Sequence, residues 1–178
     1  MTQFILSNGQ ALSIREAKPE DAAKLIAYVK QIADETHFLT FGSDEFQISE
    51  AQEASLLKNY AETENRIFFV ALLDQQIVGI LNIFASGKKR LRHIGELGVS
   101  VAKAHWNKGI GRKLLQVALQ WAETNPLIRK IDLGVQADNH AAIHLYEDLG
   151  FRREGLQSRG SLIEGQFYDV VLMGKSFD

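Results

Sequence analysis

Lys103-Ala104-His105-Trp106-Asn107-Lys108-Gly109-Ile110-Gly111-Arg112-Lys113 follows the β-rich run Ile94 to Val101. It precedes a stretch whose apolar residues, Leu114, Leu115, Ala118 and Trp121, recur at helical spacing. The segment therefore joins a strand to an amphipathic helix. Gly109 and Gly111 permit backbone angles and close approaches that a Cβ would forbid. The helix presents unbonded N–H groups and a partial positive charge at its start. Lys108, Arg112 and Lys113 add cations around the same spot. Together these features make a cradle for phosphate oxygens. The Gly-Lys-Ser/Thr ending of a P-loop is missing, and so is the third glycine of the dinucleotide fingerprint.

Outward from this junction the elements alternate in a readable way. Downstream, Ile131 to Val135 reads as a strand, Asn139 to Gly150 as a capped helix, and Phe151 onward with Phe167 to Met173 as a strand pair turning at Glu164-Gly165. Upstream, Ile67 to Leu73 and Ile77 to Phe84 are β-rich runs separated by Asp74-Gln75-Gln76. Ser49 with Gln52 forms a capping box for a helix through Leu56, Leu57 and Tyr60. Pro19 sits where another helix begins, carrying Leu25, Ile26, Val29 and Ile32. Asn8-Gly9 predicts a hairpin between Phe4 to Leu6 and Ala11 to Ile14, since both residues tolerate positive φ. The order is ββααβββαβαββ: a mixed α/β domain with helices packed on a central sheet.

Composition narrows the function. The 178 residues make one domain, read as 1–178, with 46% hydrophobic and 24% charged residues in globular proportion. Twenty Lys and Arg against twenty-two Asp and Glu give a net charge of −2, which argues against nucleic acid as a partner. The absence of cysteine excludes disulfides, thiolate chemistry and Cys-based metal sites. No window approaches a membrane span and Met1 to Gln10 has no signal-peptide pattern, so a soluble cytoplasmic chain is expected. The basic run Lys88-Lys89-Arg90-Leu91-Arg92 reads as a solvated hairpin tip.

A second stretch is informative beside the first: Asn139-His140-Ala141-Ala142-Ile143-His144-Leu145-Tyr146-Glu147-Asp148-Leu149-Gly150-Phe151. Alone, it is an N-cap, a packed aromatic and a helix stop. In this order with Trp106-Asn107-Lys108-Gly109-Ile110-Gly111, it resembles the GNAT superfamily of acetyl-CoA-dependent N-acetyltransferases. The family's loop reads Arg/Gln-x-x-Gly-x-Gly/Ala. Its later helix reads Asn-x-x-Ala-x-x-Leu-Tyr-x-x-x-Gly-Phe, matched here at every position. The opening Ile14-Arg15-Glu16-Ala17 and the ending from Gly165 to Met173 are similar too, nearest the ribosomal-protein, polyamine and small-amine branch. Trp106 departs from the pattern, standing where Arg or Gln is usual.

The resemblance implies a mostly antiparallel sheet splayed between its fourth and fifth core strands, with acetyl-CoA as cosubstrate and no metal. The pantetheine arm would lie against Val99, Ser100 and Val101, and the pyrophosphate against Asn107, Lys108, Gly109, Ile110, Gly111 and Arg112. Asn139 would hydrogen-bond the pantetheine. Tyr146 would sit by the thioester sulfur as general acid. Glu96 is the candidate base, acting directly or through water, with ordered water alone as the alternative; His93 and His105 are weaker candidates. Glu35 and His37 would line the acceptor side.

The acceptor stays open. Glu35, Asp44, Glu45, Glu154 and Glu164 suit a polyamine, whereas Arg152, Arg153 and Arg159 suit the carboxylate of an amino acid. A small-molecule amine is the expected partner. A protein N-terminus, or acyl-CoA binding without turnover, are the alternatives, and family habit suggests a homodimer.

Overall fold

A computed structural model describes residues 1–36, 38–39 and 45–178. The strands are β1 (Thr2–Ile5), β2 (Ala11–Glu16), β3 (Ile67–Leu73), β4 (Gln76–Ala85), β5 (Ile94–Val101), β6 (Lys130–Gln136), β7 (Arg152–Ile163) and β8 (Gln166–Ser176). The helices are α1 (Ala22–Glu35), α2 (Glu50–Glu62), α3 (Ile110–Thr124) and α4 (His140–Asp148). The order matches the sequence expectation. One sheet runs β1-β2-β3-β4-β5-β6-β8-β7, and only β5 with β6 is parallel.

β3 explains the layering. All seven of its residues are apolar and buried. Ile67, Phe69, Ala71 and Leu73 pack into one core with α3, while Phe68, Val70 and Leu72 pack into a second core with α1 and α2. A strand's side chains alternate between faces, so an unbroken apolar strand needs helices on both. α3 answers with Ile110, Leu114, Leu115, Ala118, Leu119 and Ala122, all buried on one stripe. Each fully buried leucine there contributes about 2 kcal/mol. No described helix is long and apolar enough to cross a membrane.

The turns show where local chemistry wins. Asp74 (φ 47°) and Gln75 (φ 64°) both take left-handed angles, so the β3–β4 hairpin closes in two residues and Gln76 already belongs to β4. Glu164 (φ 48°) and Gly165 (φ 80°) close β7–β8 the same way. At Asn8-Gly9 only the glycine is left-handed. Gly9 N–H donates to the Leu6 carbonyl and Leu6 N–H to the Gln10 carbonyl, each at 2.9 Å, which makes a longer loop. Ser49 and Gln52 form the expected capping box. Arg15 grips Asp21 with two bonds of 2.7 and 2.8 Å, tying the end of β2 to the start of α1. Lys88 to Arg92 is an exposed turn between β4 and β5, as expected.

Candidate active site

The sheet opens at one place. β5 and β6 pair only at Ile94 with Lys130, Gly95 with Ile131 and Glu96 with Asp132. β6 continues beside β8 as far as Gln136, and β5 continues beside β4 as far as Val101. The two strands therefore part beyond Glu96, as the splay implied.

Two bonds set which residues of β5 face the gap. Lys130 N–H donates to the His93 carbonyl at 3.1 Å, on the β6 side, and Ala102 N–H donates to the Val78 carbonyl of β4 at 3.0 Å. Backbone groups alternate sides along a strand. Odd-numbered residues therefore face β6 and even-numbered residues face β4. The Leu97 N–H still pairs with the Asp132 carbonyl, so the opening meets the Leu97 C=O and the N–H and C=O groups of Val99 and Val101. Ser100 turns its backbone to β4, and its hydroxyl lies 3.1 Å from that of Tyr28 on α1. Leu97 was missed by the sequence reading, because nothing local signals which edge of a strand is left bare.

The opening continues as a cleft of about 1930 Å³, walled by β5, the 106–112 loop, the start of α4, and parts of β6 and β8. Past Val101 the chain makes one 3-10 turn, Lys103–His105, and enters the loop. Asn107 (φ 59°) and Gly109 (φ 76°) are left-handed. A Cβ on Gly109 would meet nothing within 4 Å, so the glycine answers the angle there, not a lack of space. Among the described residues, no backbone N–H from Asn107 to Arg112 has a protein partner; the ladder begins with Lys113 N–H on the Gly109 carbonyl at 3.1 Å. Unbonded N–H groups gathered in a loop and the helix start that follows it are an anion cradle. Asn107, Gly109, Ile110, Gly111 and Arg112 line the cleft; Lys108 stands off it, its Nζ 3.4 Å from His105 Nδ1. Arg112 also bonds Asp148 of α4 at 2.6 Å.

α4 faces this cradle. Asn139 caps it, its Oδ1 accepting the Ala142 N–H at 3.2 Å, and its amide NH2 has no protein partner among the described residues. Tyr146 is 8% exposed and lines the cleft. Its hydroxyl has no protein partner among the described residues, and burial pushes its pKa up to about 12.

Glu96 lies on the cleft wall at the fork, exposed, beside Phe84 on β4 and Asp132 on β6. Asp132 and Glu154 share the Lys130 ammonium, at 2.8 and 2.7 Å, and both line the cleft; the sequence reading gave Asp132 no role. Asn82 is also on this wall and donates to the Tyr60 hydroxyl at 3.1 Å. Of the arginines, Arg153 binds Glu147 at 2.8 Å and Arg159 covers the Phe167 ring, and neither they nor Arg152 reach the wall.

Glu35 is placed otherwise. Its Oε2 accepts the Lys103 N–H at 2.7 Å and its Oε1 accepts the Gln31 amide at 2.7 Å. The Lys103 bond, then that of Gln31, holds its carboxyl below the usual range. The cleft wall passes through Ile32 and Thr36 but not through Glu35. His37 and Asp44 lie outside the described residues. His105 borders the loop, its pKa lowered by burial and then by Lys108.

Residues 24–151 match the model of the acetyltransferase (GNAT) family. The chain belongs to the GNAT acetyltransferase family. As a GNAT chain it is 42% identical to the GNAT-family acetyltransferase of Streptococcus pneumoniae. That likeness covers 93% of this chain and 99% of that one, with a TM-score of 0.91. It is 28% identical to the L-amino acid N-acetyltransferase AaaT of Escherichia coli over 106 residues, 60% of this chain and 65% of the relative. It is 29% identical to the spermidine N(1)-acetyltransferase of Vibrio cholerae over 116 residues, 65% of this chain and 66% of the relative. The chain thus spans just under two thirds of the length of these two curated relatives.

Proposed function

We propose that this GNAT chain moves the acetyl group of acetyl-CoA onto the primary amine of a small, positively charged acceptor by direct attack. The observation that carries the reading is the bare edge of β5 running into the unbonded N–H groups of the 107–112 loop, with the buried Tyr146 on the wall of the same cleft. The two pantetheine amides are peptide-like and suit an open strand edge at Val99 and its neighbours. The diphosphate suits the 107–112 cradle. Asn139 has an amide NH2 to offer between them.

The chemistry follows from the groups present. The acceptor enters as an ammonium and gives a proton to Glu96, directly or through a water. The amine nitrogen attacks the acetyl carbon and the carbonyl becomes an oxyanion, for which an outward N–H of β5 is the donor. One such donor contributes about 3 kcal/mol. The C–N bond stays and the C–S bond breaks; the CoA thiolate takes the Tyr146 proton, and the second proton of the attacking nitrogen passes to the Tyr146 phenolate, directly or through water, which restores the phenol and leaves a neutral amide. The high Tyr146 pKa keeps that proton in place until the thiolate forms.

The charge of the far end of the cleft supports the acceptor class. Glu96, Asp132 and Glu154 face it, with the Lys130 ammonium between the last two. Among the described residues, no arginine lines that end of the cleft to meet a carboxylate. A diamine or polyamine gains there, and an amino acid's carboxylate is repelled. The spermidine acetyltransferase of Vibrio cholerae is a relative whose named acceptor is of this kind.

Thiol release from acetyl-CoA tests the reading, and the chain has no cysteine to add background. The panel holds diamines, polyamines, amino acids, aminoglycosides and peptides with free N-termini. Expected is kcat/KM at least about tenfold higher for the polyamines than for amino acids, an advantage lost in Glu154→Gln. Preference for amino acids or for peptide N-termini would overturn the acceptor class. CoA binding without any turnover would overturn the enzyme.

A further inference from the structure

Trp106 stands where the family's loop carries Arg or Gln, and the proposed function gives it no part. Its indole N–H donates to the Val101 carbonyl at 2.6 Å, while the residue is 40% exposed and lines the cleft. Val101 is the last residue of β5, and its carbonyl faces the opening.

A strand edge bared inside a cleft offers groups to any ligand that can pair with them, and each buried group needs a partner. Beyond the fork that edge consists of the Leu97 carbonyl and the outward groups of Val99 and Val101. Trp106 occupies one of them, the Val101 carbonyl, and so ends the free edge. Immediately after Trp106 come the left-handed Asn107 and the N–H cradle. A long ligand paired with β5 and holding a diphosphate in the loop must turn at this ring.

Resting on the acetyl-CoA reading above, we infer that Trp106 is a positioning residue for the cosubstrate. By occupying the Val101 carbonyl it fixes the last strand residue, confines the pantetheine amides to the Leu97 carbonyl, Val99 and the Val101 N–H, and walls the bend between arm and diphosphate. It touches the bend and no reacting atom.

Trp106→Phe keeps a ring and removes the donor. CoA titrated calorimetrically into wild type and variant should show about a fivefold loss of affinity, the size of one neutral hydrogen bond. KM for acetyl-CoA should rise by the same factor with kcat at saturation within about twofold. Acetyl-pantetheine, which lacks the diphosphate, should lose about fivefold in kcat/KM as well, because the loss is at the strand edge. Unchanged constants with both thioesters overturn the inference. So does a loss confined to acetyl-CoA, which would assign Trp106 to the phosphate loop. Trp121→Phe leaves Trp106 as the one indole of the two. Its emission should shift as CoA saturates, and an unmoved spectrum counts against contact at the bend. Wild-type protein that fails to bind CoA at all brings down the acetyl-CoA reading itself, a different result from tight binding that ignores Trp106.

Discussion

The Phe151 N–H donates to the Tyr146 carbonyl at 3.0 Å, and the two rings meet edge to face with centroids 5.7 Å apart. Gly150 N–H donates to the Glu147 carbonyl at 3.0 Å, with Gly150 at φ 88°. This is the Schellman arrangement, complete with its apolar contact across the helix end. The Gly-Phe pair after the tyrosine is therefore mechanical: it stops α4 and holds the aromatic residue that lines the cleft.

Tyr146→Phe removes a hydroxyl that bonds no other described side chain. Turnover should fall by about 10² or more, the usual contribution of a positioned acid, with CoA affinity within about twofold. Urea unfolding should be unchanged or slightly firmer at neutral pH. Undiminished kcat would take the acid role from Tyr146.

Gly150→Ala places a Cβ at a left-handed position, 3.3 Å from Lys175 Nζ. The cost should be about 1–2 kcal/mol in chemical denaturation. Activity should drop further than stability does, because the cap also aims Tyr146. Full activity in the folded variant would separate cap from catalysis.

Alkaline pH should reveal the same tyrosine. A phenol raised from its ordinary value of 10 to about 12 binds its proton more tightly in the folded state. Its contribution is fully present below pH 10 and is lost as pH rises through 12, amounting to about 2–3 kcal/mol. Tyr28, also raised by burial, adds in the same direction. Denaturation midpoints measured between pH 9 and 11.5 should fall less steeply in Tyr146→Phe than in wild type. The acid itself should impose no loss of rate between pH 7 and 9.

Glu35→Ala separates two roles for one carboxylate. Its bond to the Lys103 N–H links the end of α1 to the turn that leads into the phosphate loop. Loosening that turn should raise KM for acetyl-CoA about threefold to fivefold, with the amine KM steady. Glu35→Gln, which still accepts, should recover most of the loss. An effect on the amine KM alone would instead put Glu35 on the acceptor side.

Much of this was legible in the sequence because its causes are local. The capping box at Ser49 and Gln52, the breaker Gly150, the apolar stripe of α3 and the period of β3 each act within a few residues. The loop at 106–112 was legible for the same reason. The acceptor end was not. Glu96 meets Asp132 through strand pairing, and Glu154 reaches Lys130 from a strand two places along the sheet. Glu35 looked like an acceptor residue from its place at the end of α1, yet its oxygens bond Lys103 and Gln31, partners that helix periodicity does not specify.

The fork has a last consequence. Three residue pairs hold β5 to β6, and from there the sheet is two sheets with a slot between them. Whatever fills that slot with hydrogen bonds becomes a strand that the gene does not encode. At a hundredfold excess over its Kd such a filler adds about 2.7 kcal/mol to the folded state. The protein's resistance to heat and to proteases should then rise and fall with the supply of its own cosubstrate, even when no acceptor is present.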